Sequence, residues 1–180
     1  MVKKLKREEF MEAYNLYGDA IFRYCFYKTS NREKALDLVQ DTFVKTWEYI
    51  GRGKDIGNLK AFLYKTANNL IIDWFRKKKM VSLDELEEAG FDPGFDRRER
   101  LFDHMDGAIA LKAVESIEPI YRDVIMMRYV EELSIKEIAE VLKEKENNIS
   151  VRLHRGMEKL RNILSEEERH TQENQNAQPI

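Results

Sequence analysis

Lys65, Asn69, Asp73, Arg76 and Lys77 recur at three- and four-residue steps within residues 62–79, the run FLYKTANNLIIDWFRKKK. Steps of that size place them on one side of a helix. Amide, carboxylate and guanidinium groups in such a row can hydrogen-bond to base edges, and the four cations from Arg76 to Lys79 can hold phosphates. Tyr64, Trp74 and Phe75 lie in the same run and offer rings on which unpaired bases can stack. An ordinary solvated face whose last cations suit the helix dipole would look the same. The residues by themselves leave both readings open. Phe62, Leu63, Ala67, Leu70, Ile71 and Trp74 form an apolar stripe that should seat this helix on a core.

A second constellation lies near the other end of the chain. Ser134-Ile135-Lys136-Glu137 fits a capping box that opens a helix with Ile135, Ile138, Ala139 and Leu142 inward. After a polar turn at 143–146, a helix over 147–164 directs Ile149, Leu153, Met157, Leu160 and Leu164 inward. Its outer side shows Asn148, Ser150, Arg152, Arg155 and Lys159. Two helices joined by a short turn, with Asn, Ser and Arg outward near the start of the second, have the helix-turn-helix arrangement. The second helix of that motif enters the major groove, where Arg suits guanine and Asn suits adenine. Many helical hairpins share this pattern. His154 has no partner at metal spacing and reads as a surface or phosphate residue.

The elements that must position these groups are helical. A basic start precedes a helix through Phe10, Tyr14, Tyr17, Ile21, Tyr24 and Phe26, apolar on several faces and so largely buried. Ser30-Asn31-Arg32-Glu33 fits a capping box for the next helix, whose apolar face is Ala35, Leu38, Val39, Thr42, Phe43, Trp47 and Ile50. Its other side shows Asp37, Asp41, Val44 and Glu48 with Gln40 adjoining, either plain solvation or a docking surface for a basic helix. Gly51, Gly53 and Gly57 interleaved with Arg52 and Lys54 make a flexible basic loop before the 62–79 helix. Walker spacing is absent and no strand precedes this loop, which argues against nucleotide hydrolysis.

Residues 81–106 are dominated by acids and read as a linker with at most one short helical turn from Ser82. Asp84, Glu85, Glu87 and Glu88 in it read as a solubilising tract and not a metal site. Ala113, Val114 and Ile117 suggest a short helix, and Pro119 suits the first turn of the next one. The polar end, residues 166–180, should be disordered.

Composition narrows the function classes. The net charge of −2 hides segregation: residues 1–80 hold 17 Lys and Arg against 10 Asp and Glu, while residues 81–118 hold 4 against 11. A basic first half joined to an acidic middle points to polyanion binding. One cysteine, Cys25, excludes an internal disulfide and reads as a buried structural thiol. No zinc spacing, nucleophile–base pair or phosphate loop supports an enzyme, and no cofactor is called for. A chain with no signal peptide or membrane-spanning run is expected to be cytoplasmic, without membrane insertion.

The stretch from Asp37 to Phe43 (DLVQDTF), Trp47, the run from Phe62 to Arg76 and the C-terminal helix-turn-helix resemble the sigma-70 family of bacterial RNA polymerase sigma factors. Within it, the likeness is to the small extracytoplasmic-function (ECF) group. It extends over roughly residues 5–165. The resemblance implies an all-α chain of two small helical domains joined by an acidic flexible linker, the second a four-helix domain containing the helix-turn-helix. Residues 1–80 would be region 2, 81–107 the linker, 108–165 region 4 and 166–180 a disordered tail.

The implied function is that of an alternative sigma factor. It binds core RNA polymerase and directs promoter-specific initiation, reading the −35 element as duplex and opening the −10 element, with no catalytic residues. Asp37, Gln40, Asp41, Phe43, Val44 and Trp47 would dock on the clamp of the largest polymerase subunit, some of them also serving the core. Arg52, Lys54, Asn58, Lys65, Asn69, Asp73, Arg76 and Lys77 would take the −10 element, with Asn147, Asn148, Ser150, Arg152 and Arg155 on the −35 element. Other implied partners are the flap of the second-largest subunit and an anti-sigma factor. Two departures bear on −35 preference. Lys143-Glu144 stands where the family's turn has a glycine and an apolar residue, and Glu146-Asn147-Asn148 replaces a Val-Gly-Thr type of helix start.

Overall fold

The computed structural model describes residues 7–85, 113–114 and 116–176. Among these every regular element is a helix: α1 (Arg7–Thr29), α2 (Arg32–Gly51), α3 (Leu59–Glu85), α4 (Pro119–Ile125) running into a π turn at Met126–Val130, α5 (Ile135–Leu142) and α6 (Glu146–Asn176). The chain divides into two compact units. The first is built on α1–α3 and the second on α4–α6. The expected linker is helical at its start, because α3 continues through Glu85. Its remainder, 86–107, and the opening of the second domain to residue 112 lie outside the described residues.

Aromatic rings organise the first unit. Phe10 meets Trp47 at 4.9 Å and Phe43 at 6.0 Å between ring centroids, and Tyr14 meets Phe43 at 4.8 Å, which ties α1 to α2. Tyr24 of α1 packs edge-on against Tyr64 of α3 at 5.3 Å, and its hydroxyl donates to Asn68 Oδ1 at 3.0 Å. That buried hydrogen bond explains why the inward face of α3 is Leu63, Tyr64, Ala67, Asn68 and Ile71. Relative to the stripe expected from hydrophobicity, the helix is rotated so that Leu70 and Trp74 lie at the margin. A polar Asn goes inside where it is satisfied. The buried hydroxyls of Thr42 and Thr46 likewise donate to backbone carbonyls one turn earlier in α2, at 2.6 and 2.7 Å.

The expected capping box at Ser30 is not formed. Ser30 instead ends α1 in the left-handed region (φ 52°), its N–H donating to Phe26 O at 2.8 Å. Asn31 is the N-cap of α2, its side chain accepting the Lys34 N–H at 2.9 Å. An Asn caps as well as a Ser, and one residue was needed to end α1.

The second unit relies on specialised local backbone. Pro119 occupies the first turn of α4, where its missing N–H is no loss. The helix then widens into the π turn, with Glu131 N–H donating to Met126 O at 3.1 Å, a feature no periodicity announced. Ser134 and Glu137 form the expected capping box of α5 in both directions. Lys143 ends α5 at φ 57°, ψ 43°, the position and conformation a glycine would favour. Gly156 of α6 is where that helix meets α4: a Cβ there would stand 2.8 Å from Ile125 Cδ1 and 3.1 Å from Tyr121 Cβ. Finally, α6 runs through Asn176, so residues 166–176 are helical where a disordered tail was expected. Neither Gly nor Pro interrupts 157–176, and Glu, Arg and Gln are good helix formers.

Candidate functional site

Three faces carry the residues singled out by the sequence. The first is the outer side of α2. Asp37, Gln40, Asp41, Val44 and Trp47 are all exposed there, Val44 at 55% and Trp47 at 41%. Phe43 is not among them: it is buried at 4% exposure between Phe10 and Tyr14, so it holds the helix to α1 and is one of the residues of this stretch that serve the core. The helical period makes the reason plain, since Phe43 falls one turn from the buried Val39. Leu36, exposed at 44%, extends the apolar part of the stripe and was missed. Its exposure was legible from its place one turn before Gln40 and two turns before Val44.

The second face runs from the α2–α3 loop along α3. Arg52 lies 3.7 Å from Glu48, an exposed pair one turn apart, and Lys54 Nζ stands 5.1 Å above the Tyr49 ring. Asn58, expected at the −10 contact, is the N-cap of α3: its Oδ1 accepts the Ala61 N–H at 3.0 Å. Lys65, Asn69 and Asp73 are partly exposed in succession, followed by the exposed Arg76 and Lys77. Asp73 and Arg76 pair at 3.1 Å, which holds the guanidinium over the same side of the helix. Ile72 and Phe75, exposed at 54% and 45%, add apolar surface, and the Trp74 ring meets Phe75 at 4.7 Å with Lys78 Nζ 5.5 Å above it. Tyr64 is no stacking platform, being fully buried against Tyr24.

The third face is the start of α6. Asn147, Asn148, Val151, His154 and Arg155 are exposed, opposite the buried Ile149, Leu153, Gly156 and Leu160. Arg152 pairs with Glu144 of the turn at 2.7 Å and is only a quarter exposed, and the Ser150 hydroxyl donates to Glu146 O at 3.0 Å. Lys159 reaches Glu118 at 2.7 Å across the unit and covers the Tyr121 ring. The hydrogen bond between them holds the Glu118 carboxyl below its ordinary value and the Lys159 ammonium above its own. Val151 was missed because apolar residues were counted only where they fell inward.

Among the described residues no cluster of His, Cys, Asp and Glu can hold a metal ion, and no helix is long and apolar enough to cross a membrane. Burial pushes the Cys25 thiol up to about 12, so it stays protonated and unreactive.

A three-helix unit with a polar, basic-ended face and a second unit with a helix-turn-helix define a class of two-module nucleic-acid-binding proteins. Residues 13–80 match Sigma-70 region 2, and residues 108–160 match Sigma-70, region 4. The ECF RNA polymerase sigma factor SigW of Bacillus subtilis is 31% identical over 91% of this chain and 92% of its own. RNA polymerase sigma factor YlaC of the same organism is 27% identical over 91% of this chain and 98% of its own. The fold is shared with the sigma factor RpoE of Bartonella quintana, solved with the anti-sigma factor NepR, at TM-score 0.66 and 23% identity over 88% of this chain and 98% of that one. The chain belongs to the ECF group of the sigma-70 family. It is a sigma factor, a protein of promoter recognition and transcription initiation; its relatives are not enzymes, and sigma factors bind RNA polymerase.

Proposed function

We propose that this sigma factor docks on the clamp of the largest core polymerase subunit through Asp37, Gln40, Asp41, Val44 and Trp47. In this reading Arg52, Lys54, Lys65, Asn69, Asp73, Arg76 and Lys77 open and read the −10 element, with Asn58 setting the start of α3 beneath them. The −35 duplex is taken by Asn147, Asn148 and Arg155, while the rest of that unit meets the flap of the second-largest subunit. The observation that carries the reading is the unbroken row from Lys65 to Lys77 on the outer side of α3, anchored from behind by Tyr64 and Asn68. The Asn69 amide and the cations there reach water, outside the core, and they have the chemistry that suits bases and phosphates.

The protein carries no catalytic step of its own and needs no cofactor; it works in the cytoplasm, where the polymerase is. An anti-sigma factor is its natural antagonist, a reading supported by sharing its fold with a sigma factor solved in complex with NepR. Run-off transcription with purified core polymerase on genomic fragments, with and without the protein, tests the proposal. Discrete new start sites are expected. A tight duplex site bound by the protein alone, with no new transcripts, would make it a free-standing regulator instead.

A further inference from the structure

The helix that faces the −35 duplex presents an apolar side chain at the middle of its exposed side. Val151 lies one turn after Asn147 and Asn148 and one turn before Arg155, and it is 41% exposed. Its two polar neighbours are engaged elsewhere. Arg152 is drawn to Glu144 at 2.7 Å, and the Ser150 hydroxyl returns to Glu146 O at 3.0 Å. The outermost surface is therefore two amides, an isopropyl group, the His154 imidazole and a guanidinium along the helix.

No local reason accounts for the valine. Its branched Cβ makes it a poorer helix former than Ala, Lys or Glu, and it fills no part of the core, which Ile149 and Leu153 occupy on the opposite side. Nor can it donate or accept a hydrogen bond. In the major groove the one prominent apolar feature of a base edge is the C5-methyl group of thymine.

We infer that Val151 is a specificity-determining residue that packs on a thymine methyl in the −35 duplex. Asn147, Asn148 and Arg155 flank that base with polar contacts. The inference rests on the proposed −35 reading of α6. It also assigns Arg152 to positioning, since its pair with Glu144 fixes the turn from which α6 starts.

The test uses polymerase holoenzyme reconstituted with the full chain on a promoter mapped by run-off transcription. Each thymine of the −35 duplex is replaced in turn by deoxyuridine, which removes only the methyl group. One replacement should reduce initiation by about fourfold, the worth of one buried methyl group. The Val151→Ala protein should lose a similar factor on the native promoter and be indifferent to deoxyuridine at that base. Alanine favours the helix, so this variant folds. Equal initiation on every deoxyuridine template, an unchanged penalty in Val151→Ala, or a −35 duplex without thymine would each overturn the inference. Scrambling the −35 sequence separates the two levels. If scrambling has no effect, the −35 reading of α6 itself has failed; if it cripples initiation while deoxyuridine does not, only the role of Val151 falls.

Discussion

The two units solve the same problem, holding one helix face toward nucleic acid, by different means. In the first, long regular helices are locked by rings, Phe10 on Phe43 and Trp47 and Tyr24 on Tyr64, and the outward side of α3 carries a polar row that ends in cations. In the second, the helices before the recognition helix are short, and its aim depends on a close approach at Gly156, a capping box at Ser134, a left-handed Lys143 and the Glu144–Arg152 pair. Charge follows the same division. Residues 1–80 hold 17 cations against 10 acids, whereas residues 119–165 hold 9 against 8. Phosphate attraction is concentrated in the first unit, so the second must contribute through placement of a few side chains on base edges.

Gly156→Val should break the second means most severely. Its methyl groups would be driven into Tyr121 Cβ as well as the movable end of Ile125, and overpacking of this kind costs about 2–3 kcal/mol. Amide exchange should show protection lost in α4–α6 with α1–α3 retained. Gly156→Ala should be far milder, because Ile125 can turn away and alanine is the better helix former. Equal damage from the two would mean the approach at Gly156 is not tight.

On the first unit the comparison predicts separable losses. Asp41→Lys should weaken polymerase binding by about tenfold, about 1.4 kcal/mol, with an unchanged melting temperature, since Asp41 is exposed. Unchanged affinity would return the α2 stripe to solvation. Asn69→Ala should slow promoter opening by about tenfold, within the range of a single base contact, and leave polymerase binding intact. Equal loss of both activities would make α3 a structural helix only.

Much of this arrangement was legible in the chain. Period-3.6 patterning located α2, α3, α5 and α6, and the Ser134–Glu137 box was readable because both partners of a reciprocal hydrogen-bond pair are local in sequence. What escaped were features set by tertiary contact. The roll of α3 depends on Tyr24 reaching Asn68 across 44 residues. Gly156 matters only because α4 passes it closely. Phe43 and Val44 are adjacent in a family motif, yet the helical period sends one inward and the other out. Arg152 looked like a base reader until Glu144 was found within 2.7 Å.

Ser134→Ala sharpens the contrast at smaller scale. Loss of the side-chain acceptor for the Glu137 N–H, 3.2 Å away, should lower the stability of the second unit by about 1 kcal/mol. Thermal melting followed in that unit would register it, and no change would mean the box is redundant with packing.

The smallest effect concerns the two turns, which both units close with a residue other than glycine in the left-handed region: Ser30 at φ 52° and Lys143 at φ 57°. A side chain there costs about 1–2 kcal/mol relative to right-handed backbone, while glycine gives back about half of that through the larger freedom of its unfolded chain. Lys143→Gly should therefore raise stability by only about 0.5 kcal/mol, measurable as a small upward shift in melting temperature, and Ser30→Gly should do the same in the first unit. The two differ in what else the turn does. Glu144, next to Lys143, supplies the acceptor for Arg152, so any slackening of that turn by glycine should appear as altered −35 dependence of transcription. Ser30 lies in the other unit, between the end of α1 and the cap of α2, and its replacement should leave promoter choice untouched. A change in promoter choice from Ser30→Gly, or none from Lys143→Gly despite the expected stability gain, would show that the aim of α6 does not depend on its turn.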